Sequence, residues 1–74
     1  ENVTAIHSNE ENKYIYLLDK ENGRVVVLEK NGNYKAQYQS DQFKEGVGII
    51  VSEKTSKAII FTKEKLIQVD LKHP

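Results

Sequence analysis

The chain contains no cysteine, no methionine and no tryptophan, and only one of its 74 residues is proline. Without cysteine it can form neither disulfide bonds nor thiolate metal sites. A chain this short buries only about 60% of the surface that its unfolded form exposes, so it has little stability to spare on its own. The missing initiating methionine is expected of a piece cut from, or processed out of, a longer polypeptide.

Net charge is also absent, because 11 basic and 11 acidic residues balance. The two signs are interleaved, and Arg24 is the only arginine. Binding of a phosphate backbone or an anionic membrane surface requires a positive field, so neither nucleic acid nor a membrane is an expected partner. No apolar run approaches the roughly 18 residues of a membrane-spanning helix, and no stretch resembles a signal peptide. The sequence does not indicate a compartment.

What the chain does contain is an internal repeat. Residues 3–8 resemble residues 47–52, and residues 13–17 resemble residues 57–61, both at an offset of 44. Residues 24–29 resemble residues 65–70 once three residues are removed from the hairpin of the second repeat. A period of this length, filled with short β-type runs, is typical of propellers and related repeat arrays.

Strands are predicted at short, regular spacing because the repeated stretches are rich in β-branched and aromatic residues. The clearest runs are 14–18, 25–28, 49–51, 59–61 and 66–69, and the weaker ones are 3–7 and 34–39. The strong runs are continuously apolar, which predicts strands that are buried on both faces. The fold class is therefore all-β, with four strands, a crossover and three further strands.

Turn residues separate these strands. Asn31-Gly32 predicts a type I′ hairpin turn, because both residues tolerate positive φ. The segment 40–46 predicts the crossover between the two repeats. We expect at most a single helical turn there, with Phe43 anchored in the core.

A resemblance to β-propellers of the NHL-like, six-bladed type is carried by Tyr-Ile-Tyr-Leu-Leu-Asp at 14–19, Asn-Gly-Arg-Val-Val-Val-Leu at 22–28, and the Asn31-Gly32 turn before an aromatic strand. It covers nearly the whole chain. It implies four-stranded antiparallel blades, with residues 1–42 as one complete blade and 43–74 as a partial blade of three strands. The second repeat departs from the pattern, since Lys63 stands where Asp19 maps.

A closed propeller ring has about four to eight blades, and fewer than two blades cannot close one. The resemblance therefore implies one of three arrangements. The chain assembles with copies of itself, it is part of a larger propeller, or it is the C-terminal end of a propeller whose last blade takes its fourth strand from the other terminus. For the isolated chain we expect a homo-oligomer, because apolar sheet faces would otherwise be exposed.

Four residues are candidates for ligand binding: Tyr14, Arg24, Tyr34 and Tyr38. Tyr34 and Tyr38 are four residues apart on one predicted strand, so we expect them on one face, where they pack in the core or stack on a sugar or a base. Arg24 is expected to form an ion pair with Asp19 across the mouth of a hairpin. Contact with a ligand is the alternative role for Arg24.

No catalytic, metal or cofactor site is indicated. Ser8 and Ser52 lie in no Gly-x-Ser-x-Gly elbow, and no glycine-rich loop leads into a helix. His7 falls on the strand nearest the axis of a propeller, but its repeat equivalent is Val51, so a metal-binding ring of histidines is not expected. The sequence favours a non-catalytic scaffold or protein-interaction module that binds a protein partner or its own copies. A small-ligand or carbohydrate-binding module is the alternative, and an enzyme active only in a complete ring is a third.

Overall fold

The computed structural model describes residues 3–8 and 10–73 of the chain. This part is all-β, as the sequence predicts, and contains seven strands and one 3₁₀ helix at Asp41–Glu45. No helix in it is long and apolar enough to cross a membrane. The strands are β1 (Ala5–His7), β2 (Tyr14–Asp19), β3 (Arg24–Glu29), β4 (Tyr34–Gln39), β5 (Gly48–Ser52), β6 (Lys57–Phe61) and β7 (Leu66–Asp70).

The strands form two antiparallel sheets in chain order. Sheet 1 contains β1 to β4, and sheet 2 contains β5 to β7. One face of each sheet, called here the inner face, packs against the other sheet. Because side chains alternate across a strand, every second residue of a run reaches this interface. The buried apolar residues there are Tyr16, Leu18, Val25 and Val27 from sheet 1, Phe43 from the 3₁₀ helix, and Ile49, Val51, Ala58 and Ile60 from sheet 2.

The crossover at 40–46 connects the last strand of sheet 1 with the first strand of sheet 2. The Ser40 side chain begins the 3₁₀ helix by accepting a backbone N–H two residues on, and the helix ends where the Gly46 N–H donates to the Phe43 carbonyl. Phe43 is buried in the core. The predicted helical turn and its core anchor are both confirmed.

The turn at Asn31-Gly32 differs from the predicted type I′. Gly32 has a φ of +96°, but Asn31 does not have positive φ, since Ser56 is the one described non-glycine residue that does. The Gly32 N–H donates to the Glu29 carbonyl, and the Glu29 N–H donates to the Asn33 carbonyl. This is a three-residue loop with glycine in the left-handed position. Asn31 instead accepts the Asn33 N–H with its side chain, so the dipeptide stabilises a wider turn than the one predicted.

A register shift between β3 and β4 places Tyr34 and Tyr38 on different faces. Tyr38 pairs with Val25, whereas Tyr34 pairs with Leu28, and Val25 and Leu28 point to opposite faces of β3. Tyr38 is half-buried on the inner face, and Tyr34 is 64% exposed. The prediction of a shared face is wrong, because an extra residue in one strand reverses the alternation beyond it.

Repeat-equivalent residues of the two sheets point to equivalent faces, but they do not pair with equivalent residues. Ile6 pairs with Leu17, while its repeat equivalent Ile50 pairs with Ile59 instead of Phe61. A shift of two residues preserves the face to which each side chain points. The offset of 44 therefore identifies equivalent faces in two hairpins of different length.

Candidate functional site

The outer faces of the two sheets carry exposed apolar side chains. Ile6 on sheet 1 is 64% exposed, and on sheet 2 Ile50 is 51% and Leu66 is 69% exposed. Ile50 pairs with Ile59, and Leu66 pairs with Phe61, so these four residues of sheet 2 form one patch, called here the outer patch. Contiguous apolar patches on a protein surface typically mark interaction sites.

Polar residues border the outer patch on one side. Gln68 lies beside Ile59 on the same face, and the next row contains Ser52, Lys57 and Asp70. The Lys57 ammonium donates to the Asp70 carboxylate, and this hydrogen bond holds the pKa of Asp70 below its ordinary value. An apolar centre with a polar rim is the usual anatomy of a protein–protein interface.

Arg24 lies at the mouth of the β2–β3 hairpin. The buried Asp19 carboxylate accepts the Asn22 side-chain amide at 2.9 Å and the Arg24 Nε at 3.0 Å, so the predicted ion pair is present. The Asn22 hydrogen bond, assisted by Arg24, holds the pKa of Asp19 below its ordinary value although burial acts in the opposite direction. Arg24 also donates to Gln37 on β4 at 3.3 Å. Its contacts thus tie three strands together.

A cleft of about 470 Å³ opens between the sheets at the end where β2 begins. The β5–β6 hairpin forms one wall, and the segment that follows β7 forms another. Residues with hydrogen-bonding groups at the cleft include Lys13, Tyr14, Tyr16, Ser52, Glu53 and His73.

Glu53 connects the β5–β6 hairpin of sheet 2 to the start of β2. Its Oε1 accepts the Lys13 N–H at 2.7 Å, and its Oε2 accepts the Tyr14 N–H at 3.2 Å and the Tyr16 hydroxyl at 2.9 Å. Burial, and then the hydrogen bond and negative charge of Glu53, raise the pKa of Tyr16 far above its ordinary value. Tyr16 therefore remains a neutral hydroxyl between the two sheets.

His73 packs among three tyrosines of sheet 1. Its Nδ1 lies 2.6 Å from the Tyr38 hydroxyl, and its Nε2 lies 3.0 Å from the Tyr16 hydroxyl. The Tyr14 ring stands nearly perpendicular to the imidazole, with ring centroids 5.0 Å apart. The segment after β7 thus returns from sheet 2 to sheet 1.

The structure brings together two of the four predicted binding residues. Tyr14 lines the cleft and Tyr38 contacts His73, whereas Arg24 and Tyr34 contact other parts of sheet 1 or solvent. Sequence reasoning did not identify Glu53 or His73. Both lie outside the strands in polar segments. Neither belongs to a sequence motif that distinguishes it from the other polar residues of the chain.

At the cleft, the Tyr16 hydroxyl is hydrogen-bonded to both Glu53 and His73, and this network joins the sheets. Within residues 3–8 and 10–73, no group of three or more His, Asp or Glu residues is placed to hold a metal ion. Comparison of the chain with protein-family models, curated protein sequences and solved structures gives no match in any of the three. The outer faces and the cleft are the features of the described residues that bear on function.

Proposed function

We propose that the chain is a non-catalytic β-repeat module of the propeller-blade type, which acts as a scaffold by stacking the outer faces of its sheets on further copies of itself or on a partner protein. The observation that carries this proposal is the outer patch of sheet 2, with Ile50 half exposed and Leu66 more so. Complete burial of one such side chain contributes about 1.5–3 kcal/mol. Two of them supply a substantial part of the free energy of a modest association.

The repeat supports a head-to-tail arrangement of copies. Ile6 and Ile50 are repeat equivalents, and both are exposed on outer faces, one on each sheet. A stack that placed sheet 2 of one copy on sheet 1 of the next would bury both residues in the same contact. Head-to-tail contacts of this kind generate rings when the rotation between copies closes. The same contact would join the chain to further blades of a longer polypeptide.

Leu66→Lys is expected to weaken self-association about 10- to 100-fold, because it removes the burial of one large apolar side chain and adds a charge to the interface. Gln68→Lys is the matched control, since residue 68 lies on the same strand, points to the same face and is also exposed. Association is measured by sedimentation velocity, and circular dichroism verifies that both variants keep their β structure. Equal effects of the two substitutions would contradict a contact centred on the outer patch.

A second candidate function is the binding of a small ligand, such as a sugar, in the cleft. The cleft volume of about 470 Å³ is within the range of small-molecule sites, and Tyr14 supplies an aromatic ring at its wall. A glycan array followed by thermal-shift measurements tests this. For this function, a ligand that raises the melting temperature of the wild type and of Tyr34→Ala should leave Tyr14→Ala unchanged. A ligand effect that survives Tyr14→Ala, or an array without hits, would argue against it.

A further inference from the structure

The segment 71–73 crosses from one sheet to the other. The Leu71 N–H donates to the Ser56 carbonyl at 2.9 Å, which continues the pairing of β7 with the β5–β6 hairpin. The next two backbone N–H groups, of Lys72 and His73, donate to the Tyr38 hydroxyl on sheet 1 at 2.7 and 3.2 Å. The segment is thus hydrogen-bonded to sheet 2 at one end and to sheet 1 at the other.

The hydrogen bonds around His73 define its protonation state. The Tyr38 oxygen already accepts two N–H groups, so its own hydroxyl proton is directed at His73 Nδ1. A hydroxyl has two acceptor lone pairs and one donor, so both capacities of Tyr38 are then used. Nδ1 is therefore an acceptor, and the proton of the neutral imidazole is on Nε2, where it donates to the Tyr16 oxygen. The Tyr16 proton in turn goes to Glu53.

Protonation of His73 would disrupt this sequence of hydrogen bonds. A proton on Nδ1 would point at the Tyr38 oxygen, whose lone pairs are occupied and whose own proton faces Nδ1. One donor would then have to turn away and give up its acceptor within the protein. The titratable or charged groups that face His73 are Tyr14 and Tyr16 from β2, Lys35 and Tyr38 from β4, and Glu53 from the β5–β6 hairpin, with Lys72 adjacent in its own segment.

These groups act on the imidazole in opposite directions. Burial lowers the pKa of His73, the Glu53 carboxylate raises it, and the Lys35 ammonium lowers it. The net result is a pKa below the ordinary value of a histidine. Burial and Lys35 together therefore outweigh the attraction of Glu53 for an imidazolium.

We infer that the segment 71–73 is a strap that is docked across the sheets when His73 is neutral and is released when His73 becomes protonated. Release removes the His73 ring from its contacts with Tyr14, Tyr16 and Tyr38. The released state binds more protons than the docked state. The free energy of docking is therefore at its most favourable above about pH 6.5, the ordinary pKa of histidine, and weakens progressively as the pH falls below it. This device does not depend on the self-association proposed above.

The strap is tested by NMR on the full chain at a concentration where it is monomeric. Histidine ring resonances give the titration midpoint of His73, and amide hydrogen exchange gives the protection of the Lys72 N–H. We expect a His73 midpoint below about 6.5 and a loss of at least about tenfold in Lys72 protection between pH 7 and pH 5, after correction for the intrinsic exchange rate. His7→Gln should keep this transition, and His73→Gln should abolish it.

Tyr38→Phe distinguishes release of the strap from a loss of stability of the whole fold at low pH. It removes the hydroxyl that accepts the Lys72 N–H, so we expect Lys72 to be unprotected already at pH 7.5 while the amides of β2 and β6 remain protected. The inference is overturned if Lys72 stays protected while His73 is protonated, if the His73 midpoint is 6.5 or higher, or if His73→Gln shows the same transition as the wild type.

Discussion

Ile60→Ala is expected to lower the free energy of unfolding by about 3 kcal/mol, because deleting a buried isoleucine side chain removes its burial and leaves a cavity. Ile60 is fully buried on the inner face of β6, where it faces sheet 1. Ile50→Ala is the matched control, since it makes the same chemical change on the outer face, where the side chain is half exposed. For a monomer its effect should stay at about 1 kcal/mol, because a half-exposed side chain loses only part of its burial.

Urea denaturation followed by circular dichroism measures both variants. A domain of this size rarely has more than about 5 kcal/mol of stability, so Ile60→Ala is expected to unfold at low urea and to melt well below the wild type. If the two substitutions had equal effects, the assignment of inner and outer faces would be wrong.

Gly46→Ala is expected to lower the free energy of unfolding by about 1–3 kcal/mol through overpacking. An added Cβ would lie 2.8 Å from a methyl carbon of Ile60 and 2.9 Å from one of Leu18, which come from opposite sheets. Gly46 has a φ of −69°, which any residue adopts, so backbone strain does not contribute. Gly32→Ala is the complementary control, with open space around the Cβ but a φ of +96°, and we expect a loss of about 1 kcal/mol from strain alone.

A double-mutant cycle identifies the cause of the Gly46 effect. In the Ile60→Ala background the nearest clashing methyl is absent, so Gly46→Ala should cost at least about 1 kcal/mol less than it does in the wild type. Denaturation of the four proteins gives the coupling energy. Additive effects would show that the crossover is not confined between Leu18 and Ile60.

The strands were predictable from the sequence because each run carries its own signal. β2, β3 and β6 are rich in β-branched and aromatic residues. The repeat predicts that Ile6 and Ile50 point to equivalent faces, and both are exposed. The turn at Asn31 was not predictable in type, because Asn-Gly serves two loop lengths that differ by one residue. A separate register shift within the β3–β4 pair, between Val27 and Leu28, is why Tyr34 does not share a face with Tyr38.

The cleft was not predictable, because its residues meet only through the packing of the two sheets. Glu53 accepts hydrogen bonds from residues 39 and 40 positions earlier, and His73 bonds to Tyr16 from 57 positions later. Neither pair has a fixed spacing, since the separation depends on strand lengths and on the route of the crossover. Tyr14 and Tyr38 are candidates because they are aromatic residues on strands. That property does not predict their contact with a histidine beyond the last strand.

Sedimentation equilibrium of the wild type at neutral pH, from micromolar to about millimolar concentration, tests the central claim that the outer faces are contact surfaces. We expect a weight-average mass that rises with concentration above the 8.5 kDa of one chain, and an Ile50→Lys variant whose mass stays at that of one chain. A folded wild type that keeps the mass of one chain over the whole range, with cooperative unfolding, would contradict it.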